Sequence, residues 1–298
     1  DNNKFYHFGP DFMDWEFGDD ATIWTGKGHR KFSNESYRQV KQEFANKLIK
    51  SDEDVLSVVV FKWKPLEDQL EFIPTQIGDS KVDYGVDHVN FHYHMLKMNL
   101  KMPFRYILIT DEISPEVHGD IIQLPLWDKH RELGGCFHRL FTFSQEFEQY
   151  VGKRFVSMDL DMIITGDLTA LFNNDKDFVY YKMRGGDGTG WRMNNGMYMM
   201  NTGARSFVWE QFDADPKKVM GMRVGPGTDQ GVTNALLDLD KEYHWIQGDA
   251  IYDMRQDFIE TGRTELPEGT KIVMWPGPRD PMQTAWQEKY SWINENYV

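Results

Sequence analysis

Residues 155–172 read "FVSMDLDMIITGDLTALF", an apolar run of the kind a buried strand makes, interrupted one residue apart by Asp159 and Asp161. In a strand alternate side chains share a face, so the two carboxylates would stand together, about 6.6 Å apart at about 3.3 Å per residue. Like charges so placed repel unless a cation lies between them or one takes up a proton. Mg2+ and Mn2+ accept carboxylate oxygens together with phosphate oxygens, and a bound divalent cation would satisfy the pattern. A second reading ends the strand at Met158 and sets both aspartates to cap the next turn; the apolar "MII" that follows favours a continuing strand. An EF-hand fails. Where that loop needs an oxygen ligand and then Gly the chain has Ile163 and Ile164, and its twelfth position is Ala170 rather than Glu. The acid and base of a glycosidase usually come from separate elements flanking the bond, so two alternate positions of one strand fit a metal better.

Outward from this segment, strands and helices alternate. "VLSVVVF" (55–61) is β-branched and continuous, as in a sheet covered on both faces. A helix is predicted from Val86 to Leu100, then strands at "RYILIT" (105–110) and "GDIIQLP" (119–125), then a helix over "GGCFHRLFTFSQEF" (134–147). This rhythm predicts an α/β fold with a mostly parallel, Rossmann-like central sheet and flanking helices. Ligands of such sheets collect beyond the carboxyl ends of the strands. Beyond residue 173, strands are expected at "DFVYYK" (177–182), "GMYMMNTG" (196–203) and "KIVMW" (271–275), with a Gly-rich loop over 183–195 and a helix at "RSFVWEQF" (205–212). Residues 1–53 read as an N-terminal extension carrying one helix capped by Ser33 or Asn34. Residues 54–298 form the main domain, divided into a first half (54–172) and a second half (173–298).

The chain has 298 residues and a formal charge of -14, which argues against a nucleic-acid partner, since that binding relies on clustered Lys and Arg. Its apolar runs are far shorter than the ~20 residues of a membrane-spanning helix. A single cysteine, Cys136, rules out an intramolecular disulfide and fits a reducing compartment. No signal peptide opens the sequence, although it starts at Asp1 without a Met, which leaves room for an upstream segment that has been removed; the expectation is a soluble, cytoplasmic protein.

The Asp-x-Asp segment resembles that of GT-A glycosyltransferases, above all the glycogenin-like retaining family and its bacterial and phage relatives. "VVVFKW" (58–63), "YGVDHVN" (84–90), "FRYILITDE" (104–112), "HRLFTF" (138–143), "NNGMYMMNTG" (194–203), "TDQG" (228–231) and "IVMWPGPRDP" (272–281) follow in the order expected of that group. The resemblance implies a GT-A fold with a smaller acceptor-side subregion, in which 54–172 is the nucleotide-binding half and 173–298 the donor-sugar and acceptor half. It implies that Phe61, Lys62 and Tyr84 lie near the base and ribose of a nucleotide. It implies that Asp159 approaches the ribose or the metal, that Asp161 binds Mn2+ or Mg2+, and that Arg139 contacts the donor. By the same likeness, Asn194, Asn195 and Gly196 face the donor sugar, while Asp229 and Gln230 stand near the reacting carbon. Each also has a plainer reading: Arg139 as a helix-surface arginine, Asn194–Gly196 as a turn before a strand, Asp229 as a helix cap. Relatives carry a C-terminal His as a further metal ligand; here Met274 or Pro276 occupies that place, with His244 a possible substitute in sequence.

The expected activity is therefore metal-dependent transfer of a hexose from a nucleotide sugar, UDP-glucose or UDP-galactose, to a carbohydrate or other hydroxyl acceptor, with retention. A non-catalytic nucleotide-sugar binding protein and a glycoside hydrolase are the alternatives.

Overall fold

The structure is a computed structural model that describes residues 20–24, 29–33, 55–64, 84–130, 133, 136–184, 192–222, 228–275 and 280–296. In the first two stretches only the backbone is described, as strands β1 (Asp20–Trp24) and β2 (His29–Ser33) of a two-stranded antiparallel sheet. The helix expected after Ser33 lies outside the described residues, as do most of the Gly-rich loop and Pro276.

Seven strands make the central sheet: β3 (Leu56–Lys62), β4 (Phe104–Thr110), β5 (Ile121–Pro125), β6 (Arg154–Met158), β8 (Phe178–Lys182), β9 (Met193–Asn201) and β10 (Tyr243–Trp245). Their order is β10-β8-β9-β6-β3-β4-β5. All pairings are parallel except those of β9, which runs against both β6 and β8. From β3 the chain steps one way to β4 and β5 and later returns on the other side as β6. That reversal is a topological switch point, and it opens a crevice beyond the carboxyl ends of β3 and β6.

The continuous apolar run of β3 is explained by what covers it. Leu56, Val58 and Val60 pack into a core shared with α1 (Val86–Asn99), whereas Val59 and Phe61 enter an aromatic core with Phe137, Phe141, Trp209 and Phe212. Trp209 and Phe212 belong to α2 (Ser206–Ala214). Both faces are dry, as parallel sheets require. Among the described residues no helix is long and apolar enough to cross a membrane.

Three local expectations are corrected. β6 ends at Met158, and the chain turns through Leu160 and Asp161 before β7 (Ile163–Ile164), so the aspartates do not lie on one strand. The apolar run resumes because β7 enters a second, buried sheet, ordered β11-β12-β7 with β11 (Ile251–Asp253) and β12 (Ile272–Met274). Second, Asn194, Asn195 and Gly196 are not a turn: β9 already begins at Met193. The Asn234 side chain holds that start, its Oδ1 accepting from the Arg192 and Met193 amides at 2.7 and 3.0 Å. Third, the helix expected over 134–147 is, among the described residues, two 3-10 helices, Phe137–Phe143 and Gln145–Phe147, and every residue of the first is buried. With no exposed face, the segment sets Phe137, Leu140, Phe141 and Phe143 into the aromatic core.

Candidate active site

The crevice at the switch point gathers residues from six segments. Asp159 follows β6 directly, and its backbone N–H donates to the Gly196 carbonyl at 2.9 Å, continuing the β6–β9 ladder one step past the strand. Its carboxylate faces Arg139, with Oδ1 3.0 Å from Nη2. Arg139 is no surface residue: only 7% exposed, it lies over the Phe61 ring at 5.4 Å and donates from Nη2 to the Asn195 carbonyl at 3.1 Å. Its Nε is 3.5 Å from Asp229 Oδ2, too poorly aligned for a hydrogen bond. Burial opposes the guanidinium charge, but Asp159 and Asp229 outweigh it and keep Arg139 firmly protonated.

Asp229 is the first residue of α3 (Asp229–Leu236), but the cap is Thr228, whose hydroxyl accepts from the Gly231 N–H at 3.0 Å. Asp229 Oδ1 accepts from the Gln230 N–H at 2.9 Å, and its Oδ2 faces Arg139. Gln230 Oε1 accepts from the Asn195 N–H at 3.3 Å, and Asn195 Oδ1 accepts from the Thr233 hydroxyl at 2.8 Å. Asn195 is 3% exposed, and its Nδ2 has no acceptor among the described residues. Gly196 matters for what it lacks: a Cβ there would stand 2.8 Å from Asn194 Oδ1, 2.9 Å from Asp159 Oδ2 and 3.2 Å from the Met274 methyl.

Asp161 sits across the turn. The Tyr84 hydroxyl donates to its Oδ2 at 3.0 Å. Burial and then the neighbouring Asp159 push the Asp161 carboxyl well above the ordinary range, against the Tyr84 hydrogen bond. Asp159 is also raised by burial, although Arg139 pulls it down and 37% of its side chain stays exposed to the crevice. Asp159 and Asp229 thus share one guanidinium, and Asp161 is held by the Tyr84 hydroxyl. The excess negative charge and the hard oxygen donors suit a divalent cation held by Asp159 and Asp161. Among the described residues no three His, Cys, Asp or Glu side chains form a fuller metal cluster.

Most predicted site residues therefore converge: Phe61, Tyr84, Arg139, Asp159, Asp161, Asn194, Asn195, Gly196, Asp229 and Gln230. Lys62 ends β3 half-buried, and its charge is felt at Glu112, which a hydrogen bond from Lys64 first of all holds below the usual carboxylate range. Met274 does reach the site, through Gly196. His244 does not; it is exposed on β10, the sheet edge three strands from β6. Sequence reasoning missed Cys136, whose thiol burial and then Asp229 push up to about 12 beside Arg139. It also missed His88 and Asp280, which bond each other behind Tyr84. Each lies inside one of the stretches that carry the resemblance, 84–90 and 272–281, but nothing local marks their pairing.

No family model matches the chain, and no curated protein matches it in sequence. Solved structures do resemble it. The glycosyltransferase GlyE of Streptococcus pneumoniae TIGR4 matches with a TM-score of 0.53 at 17% identity, over 80% of this chain and 63% of its own. The fold is of the GT-A type. The galactosyltransferase LgtC, in complex with donor and acceptor sugar analogues, matches with a TM-score of 0.52 at 12% identity, over 82% of this chain and 96% of its own. This GT-A chain thus spans less than two thirds of GlyE and nearly the whole of LgtC. At such identities the likeness speaks for the fold, and the chemistry has to be argued from the crevice.

Proposed function

We propose that the chain is a glycosyltransferase that moves a hexose from a nucleoside diphosphate sugar, UDP-glucose or UDP-galactose, to an acceptor hydroxyl, using Mn2+ or Mg2+ and retaining the anomeric configuration. One observation carries the reading: an under-compensated acidic pair, Asp159 and Asp161, lies at the switch point of a GT-A sheet, where a nucleotide would bind. The likeness to GlyE and LgtC supports a sugar donor and an acceptor.

In this reading Phe61 and Tyr84 border the base and ribose at the end of β3 and the start of α1, with Lys62 beside them. Asp159 and Asp161 hold the cation, which when bound supplies Lewis-acid stabilisation of the departing diphosphate. Arg139 keeps Asp159 and Asp229 in place as fixed charges, so that little reorganisation accompanies charge separation. Asn194 and the unsatisfied Asn195 amide offer hydrogen bonds to sugar hydroxyls, and Gly196 leaves room for the ring. Asp229 and Gln230, held by Arg139 and by the Asn195 N–H, face the reacting carbon.

The test is UDP release from UDP-glucose and UDP-galactose with Mn2+ present, repeated with Asp161→Ala. Turnover that chelator and the substitution both abolish is expected. Tight donor binding without turnover across donors and acceptors would instead make this a binding protein, and chelator-insensitive cleavage of a glycoside would make it a hydrolase.

A further inference from the structure

A chain of contacts runs behind Asp161 to a part of the sequence far from it. The Tyr84 ring, whose hydroxyl holds Asp161, meets His88 edge-on, with centroids 5.1 Å apart and planes at 84°. His88, in the first turn of α1 and 5% exposed, is fixed at both ring nitrogens. The Gly85 N–H lies 3.1 Å from Nδ1 and donates to it. Nδ1 is therefore an acceptor, the ring is neutral and its proton sits on Nε2. That proton is given to Asp280, whose Oδ1 is 3.0 Å from Nε2 although the two residues are 192 positions apart. The same oxygen accepts from the Met282 N–H at 2.7 Å.

Each link constrains the next. The Asp280 carboxylate selects the Nε2–H tautomer, and only that tautomer leaves Nδ1 free to accept from Gly85. Gly85 is bonded to Tyr84 just before the first turn of α1, where no intrahelical hydrogen bond fixes the backbone. Asp161 lies in a turn rather than a strand, and the Tyr84 hydroxyl is the side-chain group that holds its Oδ2, at 3.0 Å.

We propose that His88 and Asp280 are positioning residues that fix Tyr84 and, through its hydroxyl, the orientation of Asp161, so that the turn at 280–282 sets the geometry of the acidic pair. Neither residue need touch substrate. The consequence for cation binding rests on the metal reading above; the positioning itself does not.

Two measurements on the intact chain test it. The first is Mn2+ affinity, followed by tryptophan quenching, for wild type, Asp280→Ala, Asp280→Asn, Tyr84→Phe and the double variant Asp280→Ala with Tyr84→Phe. Asp280→Ala is expected to weaken Mn2+ about tenfold, the size usual for a residue that orients a ligand. Asp280→Asn keeps an acceptor oxygen and should stay within about twofold of wild type, while the double variant should be no weaker than Tyr84→Phe alone. Unchanged affinity in Asp280→Ala, or effects that multiply in the double variant, would overturn the proposal, since a merely structural staple predicts one or the other. The second measurement is the 15N NMR of His88, expected as the Nε2–H tautomer in wild type and as a tautomer mixture with shifted Tyr84 ring resonances in Asp280→Ala. If wild type binds no Mn2+ the metal reading fails by itself, and the NMR decides: an Asp280→Ala spectrum with His88 and Tyr84 unmoved refutes the positioning.

Discussion

Two acidic clusters lie close together in this fold and are managed in opposite ways. Asp253 ends β11 and is registered with Met274, the residue whose methyl reaches Gly196. Its partner Asp257 is fully committed: Oδ1 accepts from Arg184 at 2.6 Å and Gln247 at 2.7 Å, and Oδ2 accepts from the Asp253 N–H at 2.7 Å. Asp253, raised by burial, caps the next turn through the Gln256 N–H at 2.8 Å. Asp159 and Asp229 by contrast divide one arginine, and Asp161 is left with a tyrosine hydroxyl. Similar side chains thus serve different ends. A cluster whose hydrogen bonds close on themselves holds the fold together, and one left with excess charge is suited to a ligand.

The contrast breaks first under Asp161→Asn. Removing the charge relieves the repulsion from Asp159 while the amide oxygen still accepts from Tyr84, so the melting temperature should stay level or rise by about 2 °C. Donor turnover should fall by about 100-fold or more, roughly 2.7 kcal/mol in the barrier. A variant that loses stability together with activity would place Asp161 in the structural class. At Asp257 the expectation is reversed. Asp257→Ala strands Arg184 and Gln247 and should cost about 2 kcal/mol in denaturant unfolding, less than for a fully buried pair because Arg184 is 40% exposed. Mn2+ and donor affinities should move by no more than about twofold.

Gly196→Ala sharpens the contrast from the side of shape. The added methyl meets the Asp159 and Asn194 oxygens closer than van der Waals contact allows, and of its neighbours only the Met274 methyl yields easily. Asp159, tied to Arg139, has to shift. Donor affinity measured by calorimetry should drop about tenfold, equivalent to about 1.4 kcal/mol, with the unfolding midpoint nearly unchanged. An Ala variant that binds donor like wild type would show that Asp159 has more freedom than the packing suggests.

What the sequence revealed followed from how each segment is buried. β3, β4, β5 and α1 were legible because one residue pattern serves one environment from end to end. The end of β6 at Met158 was not, because the chain leaves one buried sheet and enters another, and apolar periodicity is blind to that exchange. β9 starts at Met193 because Asn234, some 40 positions later, supplies its backbone partners. At the site, resemblance brought together Asp159, Asp161, Arg139 and Asp229, whose ordered motifs survive along the chain. His88 and Asp280 stayed hidden as a pair: each lies inside a quoted stretch, 84–90 and 272–281, but their meeting across 192 positions is purely tertiary.

His92 provides the smallest test and a third way of burying a titratable group. It is fully buried in α1, its Nδ1 2.9 Å from the Tyr106 hydroxyl, and burial lowers its pKa to about 3. The folded chain therefore keeps the ring neutral across a range in which the unfolded chain, with an ordinary value near 6.5, takes up a proton. Because the unfolded state binds more protons between about pH 6.5 and 3, stability falls as the pH drops through that window and is fully present above it. From pH 7 to pH 6 the loss from His92 alone is about 0.7 kcal/mol, and about 1.4 kcal/mol for each further unit until pH nears 3. Denaturant unfolding at pH 7 and pH 6 should show this difference in wild type, and His92→Gln, whatever its own stability, should reduce it by that amount. An unchanged pH slope in the variant would mean that His92 can be charged within the fold, and that burial in α1 constrains it less than burial constrains Asp161.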